Sequence, residues 1–484
     1  MGGWGFFYFY ENQFNNLTEE REKLSTNKGM KIVIVGTGYV GLTTAVMLAY
    51  IGHNVVGVDI DEKKIELLKK GKSPIHEAGV EELLASLKNN IIFTTDLKPN
   101  VGDADIIMIA VGTPAKVNGE ADTHYVEEAA RTVAEGLTDG HTYTVVVKST
   151  VPIGANRRVA HVIKKTLEER NVKATVYVAS NPEFLREGMA LYDSFYPDRI
   201  VIGSEDPEAI EMLRRMYRPI LEQTFEPPQA IPKRDGYSLP PLITTDPVSA
   251  EMIKYAANAF LALKISFINE IAGLCEKVGA DVTEVARGIG LDTRIGARFL
   301  SAGIGWGGSC FPKDTAALIA VGKEYNYEMP IVEAARKVNQ LQRERTVEKL
   351  QSVLKGVRGR TIAILGLSFK PGTDDVRESP AIDIIKLLIE RGAHIRAHDP
   401  VAIEKARRAF TAEELKEITF VDEPYLAAEG ADAVLLATEW QLYRQLDLKH
   451  LAHVMRTPIL LDGRNIYLPK DAREAGFIYM GVGR

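Results

Sequence analysis

Lys31-Ile-Val-Ile-Val35 followed by Gly36-Thr-Gly-Tyr-Val-Gly41 decides how the rest of the chain is read. An apolar run that stops at a glycine reads as a buried strand. Gly36, Gly38 and Gly41 then form the pattern G-x-G-x-x-G, with Val40 inside it, at the opening of a helix. In that setting the first glycine permits a tight turn and the second lets backbone approach a pyrophosphate. The third lets helix and strand pack closely. The helix N-terminus offers free N–H groups to the phosphates. The helix should run from about Tyr39 to Ile51, with Gly52 as its stop, and a strand Asn54 to Asp59 should follow. Asp59 suits a ribose 2′-OH and repels a 2′-phosphate, which favours NAD over NADP. FAD shares the fingerprint, but the rest of the chain favours simple hydride transfer.

Outward from this unit, apolar runs at Ile106 to Val111, Thr144 to Lys148, Thr175 to Ala179 and Arg199 to Gly203 alternate with helical sequence. That grammar implies a parallel sheet covered on both faces. Glu226 to Pro241, rich in Pro, Gly and charge, reads as an inserted loop. Asp246 can cap a helix that begins at Pro247 and runs without a breaker to Val278, before Gly279. At 1.5 Å per residue that is roughly 48 Å, enough to span a domain or form a dimer face. Near Thr361 the first grammar restarts: strand to Gly366, helix Ser379 to Glu390 with Pro380 in its first turn, strand Ile395 to His398, then Asp399. The expected architecture is α/β, with two Rossmann-like, doubly wound parallel-sheet domains joined by a central helical domain with one long helix. The divisions are an aromatic N-terminal extension at 1–29, an NAD-binding domain at 30–213, a central helical domain at 214–335, whose long helix could form a dimer face, and a C-terminal nucleotide-binding-type domain at 336–484.

A length of 484 residues fits several domains rather than one core. A formal net charge of -6 argues against a general nucleic-acid binder. No stretch holds 18 uninterrupted apolar residues, and the start lacks a basic n-region with an apolar core, so neither membrane nor secretion is expected. Two cysteines cannot make a disulfide framework, which points to a reducing cytoplasm. Neither has the C-x-x-C or His neighbours of a metal site, so no metal is expected.

Gly303-Ile-Gly-Trp-Gly-Gly-Ser-Cys-Phe-Pro-Lys-Asp314 carries the chemistry. Four glycines in six positions suit a loop whose backbone comes close to a ligand. Cys310 ends that loop, and a cation such as Lys313 would raise its thiolate fraction. Cys275, among apolar residues on the long helix, reads as core. An alcohol dehydrogenase needs no nucleophile, whereas oxidation past an aldehyde does. A thiolate adds to the carbonyl, the thiohemiacetal loses hydride, and water releases an acid from the thioester.

The sequence resembles the UDP-glucose/GDP-mannose dehydrogenase family across residues 30 to 484. The carrying stretches are GTGYVG at 36–41, VKSTVPIG at 147–154, SNPEFLREG at 180–188, AEMIKYAANAFLALKISFINE at 250–270, GWGGSCFPKD at 305–314, LGLSFKPGTDDVRESP at 365–380 and DGRN at 462–465. The resemblance implies that UDP-glucose, two NAD and water give UDP-glucuronate and two NADH. It implies Cys310 as nucleophile, Lys254 and Asn258 steadying the reacting oxygen, and Glu183 as base for thioester hydrolysis. Thr150 and Asp314 would position water. Lys254 and Asn258, four apart on a helix, share one face. For the first alcohol proton Lys254, or Asp314 through water, are the candidates. NAD contacts implied are Gly36, Gly38, Val40, Gly41, Asp59, Lys64, Thr113, Thr150, Glu187, Lys313 and Arg377. Substrate contacts implied are Phe184, Leu185, Glu187, Lys254, Asn258, Phe299, Leu300, Ser301, Ala302, Gly303, Gly307, Lys370 and Arg464. Arg294 resembles an arginine that reaches a neighbouring subunit's substrate diphosphate, so at least a homodimer is expected. Arg294, Lys370 and Arg464 are donors suited to phosphate. Trp306 stands where Tyr or Phe is commoner; the segment 226–241 and the extension have no assigned role.

GDP-mannose or a UDP-N-acetylhexosamine are the alternative substrates for the same chemistry. A two-electron hydroxy-acid dehydrogenase would need neither Cys310 nor a third domain. A catalytically dead nucleotide sensor would not need Cys310, Lys254, Asn258 and Asp314 together.

Overall fold

The computed structural model describes residues 29–484, so the aromatic stretch read as an extension lies outside the described residues. The first sheet has eight strands: β1 (Lys31–Val35), β2 (Asn54–Val58), β3 (Ile91–Thr94), β4 (Ile106–Ile109), β5 (Thr142–Val147), β6 (Thr175–Ser180), β7 (Ile200–Gly203) and β8 (Leu242–Thr245). Their spatial order is β3-β2-β1-β4-β5-β6-β7-β8. Ile32 and Ile34 of β1 enter one apolar cluster and Val33 and Val35 enter another, one on each face. Alternate side chains thus point to opposite buried faces, which is why the strand reads as a continuous apolar run. Val35 pairs with Val58 on one side and Ile109 on the other, so the strand order reverses at the end of β1. A crevice at such a switch point is where α/β sheets bind ligands. One pairing departs from the all-parallel expectation: β7 runs antiparallel to β6, meeting it at Ser180 and Gly203.

The second sheet is wholly parallel: β9 (Thr361–Leu365), β10 (His394–His398), β11 (Ile418–Phe420), β12 (Ala433–Leu436), β13 (Ile459–Asp462) and β14 (Ile478–Met480), in the order β11-β10-β9-β12-β13-β14. It repeats the first unit down to its acid. Asp399 accepts from the amides of Leu367 and Ser368 at 2.8 and 3.0 Å. Asp59 accepts likewise from the amide of Thr37 at 2.8 Å.

Between the sheets runs the helix Pro247–Val278, capped by Asp246, whose carboxylate accepts from the Ser249 amide at 2.9 Å. Gly279, at φ 76°, ends it, as the sequence leads one to expect. The helix has the length and mean hydropathy (1.3) of a membrane span. Yet Glu251, Lys254, Asn258 and Asn269 are buried along it, as on a helix packed inside protein. It packs against Phe311–Glu324 and Pro330–Leu354. The divisions expected at 213 and 335 both fall within helices, Pro207–Glu222 and Pro330–Leu354. The inserted loop folds back on the first domain: Ile231 is buried, and Tyr237 sets its ring edge-on to Tyr196 and donates to the Pro197 carbonyl at 2.8 Å.

Candidate active site

A cavity of about 750 Å³ lies where the three parts of the chain meet. The turn after β6 supplies Glu183, Phe184, Leu185 and Glu187. The long helix supplies Lys254 and Asn258, and the cysteine loop supplies Gly307 and Cys310. The C-terminal domain closes it with Lys370 and Arg464. Its volume suits a ligand of nucleotide-sugar size.

Cys310 stands at the N-cap of Phe311–Glu324, where free backbone N–H groups favour an anion. Its neighbours are paired charges. Lys254 Nζ donates to Glu183 Oε1 at 2.8 Å, with side chains 4% and 6% exposed. Asn258 Nδ2 donates to Asp314 Oδ2 at 2.6 Å, and Lys313 Nζ to Asp314 Oδ1 at 2.6 Å. Burial pushes the Cys310 thiol up; Lys254 lowers it, while Glu183 and Asp314 raise it, and the balance is above the usual thiol range. This corrects the sequence expectation twice. The cation acting on Cys310 is Lys254, not Lys313, which is turned to Asp314. The resting group is a thiol, because desolvation outweighs that cation. Burial also works against the Lys254 ammonium, but Glu183, Cys310 and Asp314 hold its pKa above the ordinary range.

The glycines of the loop face protein rather than open space. A Cβ on Gly307 would sit 2.1 Å from the Glu378 carbonyl oxygen, and one on Gly308 would meet the Phe369 ring at 2.7 Å. Gly303 packs in the same way on Gly463 and Arg464. The loop is glycine-rich because the C-terminal domain lies against it. Trp306 donates its indole N–H to Ser266 of the long helix at 2.9 Å and stands edge-on to Phe311.

Glu187 ties the segments together: it accepts from Ser309 at 2.6 Å and lies 3.4 Å from Arg377. Burial, with Asp375 beside it, pushes its pKa up to about 7. Lys370 is held below the usual lysine range by burial, against the pull of Glu187 and Cys310. Arg464 reaches the Ala437 and Gly305 carbonyls at 2.7 and 3.2 Å. Of Phe299 to Gly303, only Phe299 lines the cavity, and it holds a left-handed backbone at φ 66°. Leu300, Ala302 and Gly303 are buried behind it, and Ser301 is exposed. Arg294 does not line the cavity. Its side chain is 87% exposed and pairs with Asp292 at 2.6 Å. Sequence reasoning singled out neither Lys148 nor Asn181, which line the cavity from the end of β5 and the turn after β6 respectively.

The nucleotide end lies at the β1 switch point. A Cβ on Gly38 would meet nothing within 4 Å, which leaves room for a ligand against the backbone there. One on Gly41 would sit 1.8 Å from the Gly36 carbonyl oxygen, so Gly41 serves helix–strand packing. Val40 is half-buried beside them. Burial pushes the Asp59 carboxyl up, but the amides of Asp61 and Thr37, the Thr37 hydroxyl and Lys64 hold it below the usual range. Lys64 Nζ is 3.7 Å from it. The Thr113 hydroxyl donates to the Thr150 carbonyl at 2.7 Å, which joins the loops after β4 and β5. The free backbone at Gly38 and the ionised Asp59 fit NAD. Among the described residues no group of three or more His, Cys, Asp or Glu is arranged to hold a metal ion.

Residues 30–221 match the NAD binding domain of the UDP-glucose/GDP-mannose dehydrogenase family, 248–341 its central domain and 363–469 its UDP binding domain. The chain is 46% identical over 462 residues to a UDP-glucose 6-dehydrogenase of Rhizobium meliloti (strain 1021), covering 94% of this chain and 100% of that protein. To a UDP-glucose 6-dehydrogenase of Bacillus subtilis (strain 168) it is 45% identical over 457 residues, covering 94% of this chain and 93% of the relative. A solved UDP-glucose dehydrogenase from the hyperthermophilic archaeon Pyrobaculum islandicum has a similar fold, with a TM-score of 0.83 and 40% identity over 95% of this chain and 98% of that one.

Proposed function

The chain belongs to the UDP-glucose/GDP-mannose dehydrogenase family, and we propose that it oxidises UDP-glucose at C6 to UDP-glucuronate through a thioester on Cys310. The observation that carries this reading is the meeting of Cys310, Lys254, Glu183 and Asn258 in one cavity, with Lys254 paired to Glu183 and Asn258 to the buried Asp314 behind it.

NAD, when bound, accepts hydride from C6. The chain's own residues do the rest. Lys254 enters as an ammonium, so Asp314 through a water is the base assigned to the first alcohol proton. The Cys310 thiol adds to the aldehyde carbon, its proton passing to the carbonyl oxygen as the C–S bond forms, and Lys254 and Asn258 stabilise that oxygen as charge develops on it. After the second oxidation, water attacks the thioester carbon, Glu183 takes its proton, the C–S bond breaks and the thiolate leaves. Asp59, Lys64, Thr113, Thr150, Lys313 and Arg377 hold NAD in this reading. Lys370 and Arg464 hold the nucleotide sugar. Arg294 serves the neighbouring subunit's diphosphate.

The reading includes a dimer built on the long helix. Met252, Phe260, Phe267 and Leu274, seven or eight apart, are exposed on one stripe of it, as a helix-on-helix contact requires. It also places the protein in the cytoplasm, which suits two cysteines that are both free.

Counting NADH per UDP-glucose, with mass spectrometry of the Cys310 peptide during turnover, tests the reading. Two NADH and a substrate-sized adduct are expected. One NADH, or turnover with GDP-mannose and none with UDP-glucose, would overturn it.

A further inference from the structure

Lys148 follows β5, lines the cavity and is 7% exposed. Its Nζ donates to Asn181 Oδ1 at 3.0 Å and to the Asn181 carbonyl at 3.5 Å, and lies 3.4 Å from the Tyr217 hydroxyl oxygen. All three partners are neutral. A buried ammonium without a contacting carboxylate is costly. Nor does the local structure need it. Asn181 Oδ1 also accepts from Tyr217 at 2.7 Å, and Asn181 Nδ2 donates to the Val201 carbonyl at 2.8 Å. Without the ammonium the Asn181 amide oxygen and the Tyr217 hydroxyl keep each other as partners, and the Asn181 carbonyl loses only a long contact of 3.5 Å.

Two residues beyond the asparagine it grips, lining the same cavity, stands Glu183. The charged and titratable groups around that carboxylate are Lys254 on the long helix, Lys148 at the end of β5, Cys310 on the glycine loop and Asp314 on the helix after it. Burial pushes Glu183 up, and Lys254, the Leu185 amide and Lys148 bring it below the usual carboxylate range. Tyr217, the remaining titratable group against Lys148, is kept neutral by burial.

We propose that Lys148 is a positioning residue for thioester hydrolysis, keeping Glu183 ionised while Lys254 turns its ammonium to the substrate oxygen. The proposal rests on the reading of Glu183 as the hydrolytic base. As Lys254 is drawn to the oxygen on the reacting carbon, Glu183 shares its contact cation, and burial then favours the protonated acid. A protonated Glu183 cannot take the proton of the attacking water, and the C–S bond to Cys310 stays. Lys148 has no oxygen of the substrate to serve in this scheme, so its charge remains available to Glu183. Burial and Lys254 push its own pKa down to about 8, with Glu183 opposing them, so it is charged over the neutral range where the help is needed.

The test is Lys148→Met, with the Cys310 adduct followed by quenched-flow mass spectrometry from about pH 6 to about pH 9. Wild-type enzyme is assayed first for two NADH per UDP-glucose, so that failure of the underlying reading is seen separately. In the variant the adduct should accumulate and decay more slowly at the acidic end, by several-fold and at most about tenfold, one pKa unit of Glu183 being a factor of ten. The deficit should shrink as pH rises and Glu183 ionises unaided. The melting temperature should not fall, and Lys148→Arg should recover part of the acidic-side rate. Wild-type adduct decay at every pH, or a deficit equal at every pH, would overturn the proposal. If the methionine variant fails to fold, Lys148→Gln is judged by the same two criteria.

Discussion

Asn258 and Lys313 both donate to Asp314, one to each carboxylate oxygen and each at 2.6 Å. The carboxylate is thereby fixed between the long helix and the helix that Cys310 begins, with Asn258 held four residues along from Lys254. Lys254 and Asn258 are thus each held by a buried carboxylate, Glu183 and Asp314, in the absence of substrate.

Lys254→Met should lower kcat by roughly 10²–10³-fold, the usual loss when one donor to a developing oxyanion is removed. It should also lower the melting temperature, because Glu183 is left as a buried charge without its contact partner. Steady-state NADH production and a thermal melt measure both. A kcat near wild type would remove Lys254 from the chemistry.

Cys310→Ser should stop the second oxidation. Product at the acid level should disappear, while aldehyde-level or slow ester-linked material collects, as seen by mass spectrometry of quenched reactions. Glucuronate released at the wild-type rate would show that the route does not pass through sulfur.

Alkylation of Cys310 by iodoacetamide should be slow at neutral pH and rise with pH, by about tenfold per unit below the thiol pKa. The sign follows from burial, which outweighs Lys254 and holds the resting group as a thiol. Peptide mass spectrometry against pH gives the profile. A flat profile through neutrality would mean a standing thiolate.

Gly38→Ala and Gly41→Ala should separate. Gly38 sits at φ -73° with nothing near its missing Cβ, so alanine should leave the melting temperature unchanged and weaken NAD binding by about tenfold or more. Gly41→Ala drives a Cβ into the Gly36 carbonyl and should destabilise the first domain by about 1–3 kcal/mol or more. Fluorescence titration with NADH and thermal melts distinguish them. Equal effects of the two on stability would contradict the packing.

Asp59→Ala should weaken NAD binding by about 10–100-fold, the worth of a charge-assisted hydrogen bond. It also leaves the Thr37 amide without its acceptor. An unchanged NAD affinity would move the ribose contact elsewhere.

What the sequence made legible was local. The strand, turn and helix at 31–50 are written in apolar runs and glycines, and the long helix in its Asp246 and Gly279 ends. The pairing of Lys254 with Glu183 was not legible, because 71 residues separate them and no periodicity connects them. The same holds for the glycines at 307 and 308, whose reason lies on Glu378 and Phe369. Lys148 was hidden differently. A lysine closing a strand reads as a solvated end, and only the packing of Asn181 and Tyr217 around it shows that it is not. β8 was missed because its four residues are half exposed and follow directly on the inserted loop.

The fit of Gly307 and Gly308 against the C-terminal domain has a consequence for a chain still being made. The ribosome releases Cys310 before it has translated the wall that the cysteine loop leans on. Until that wall folds, the cavity beside Cys310 lacks Lys370 and Arg464 and stands open on that side. The cavity is thereby completed only at the end of synthesis, and a prematurely terminated chain carries Cys310 without the wall that encloses it.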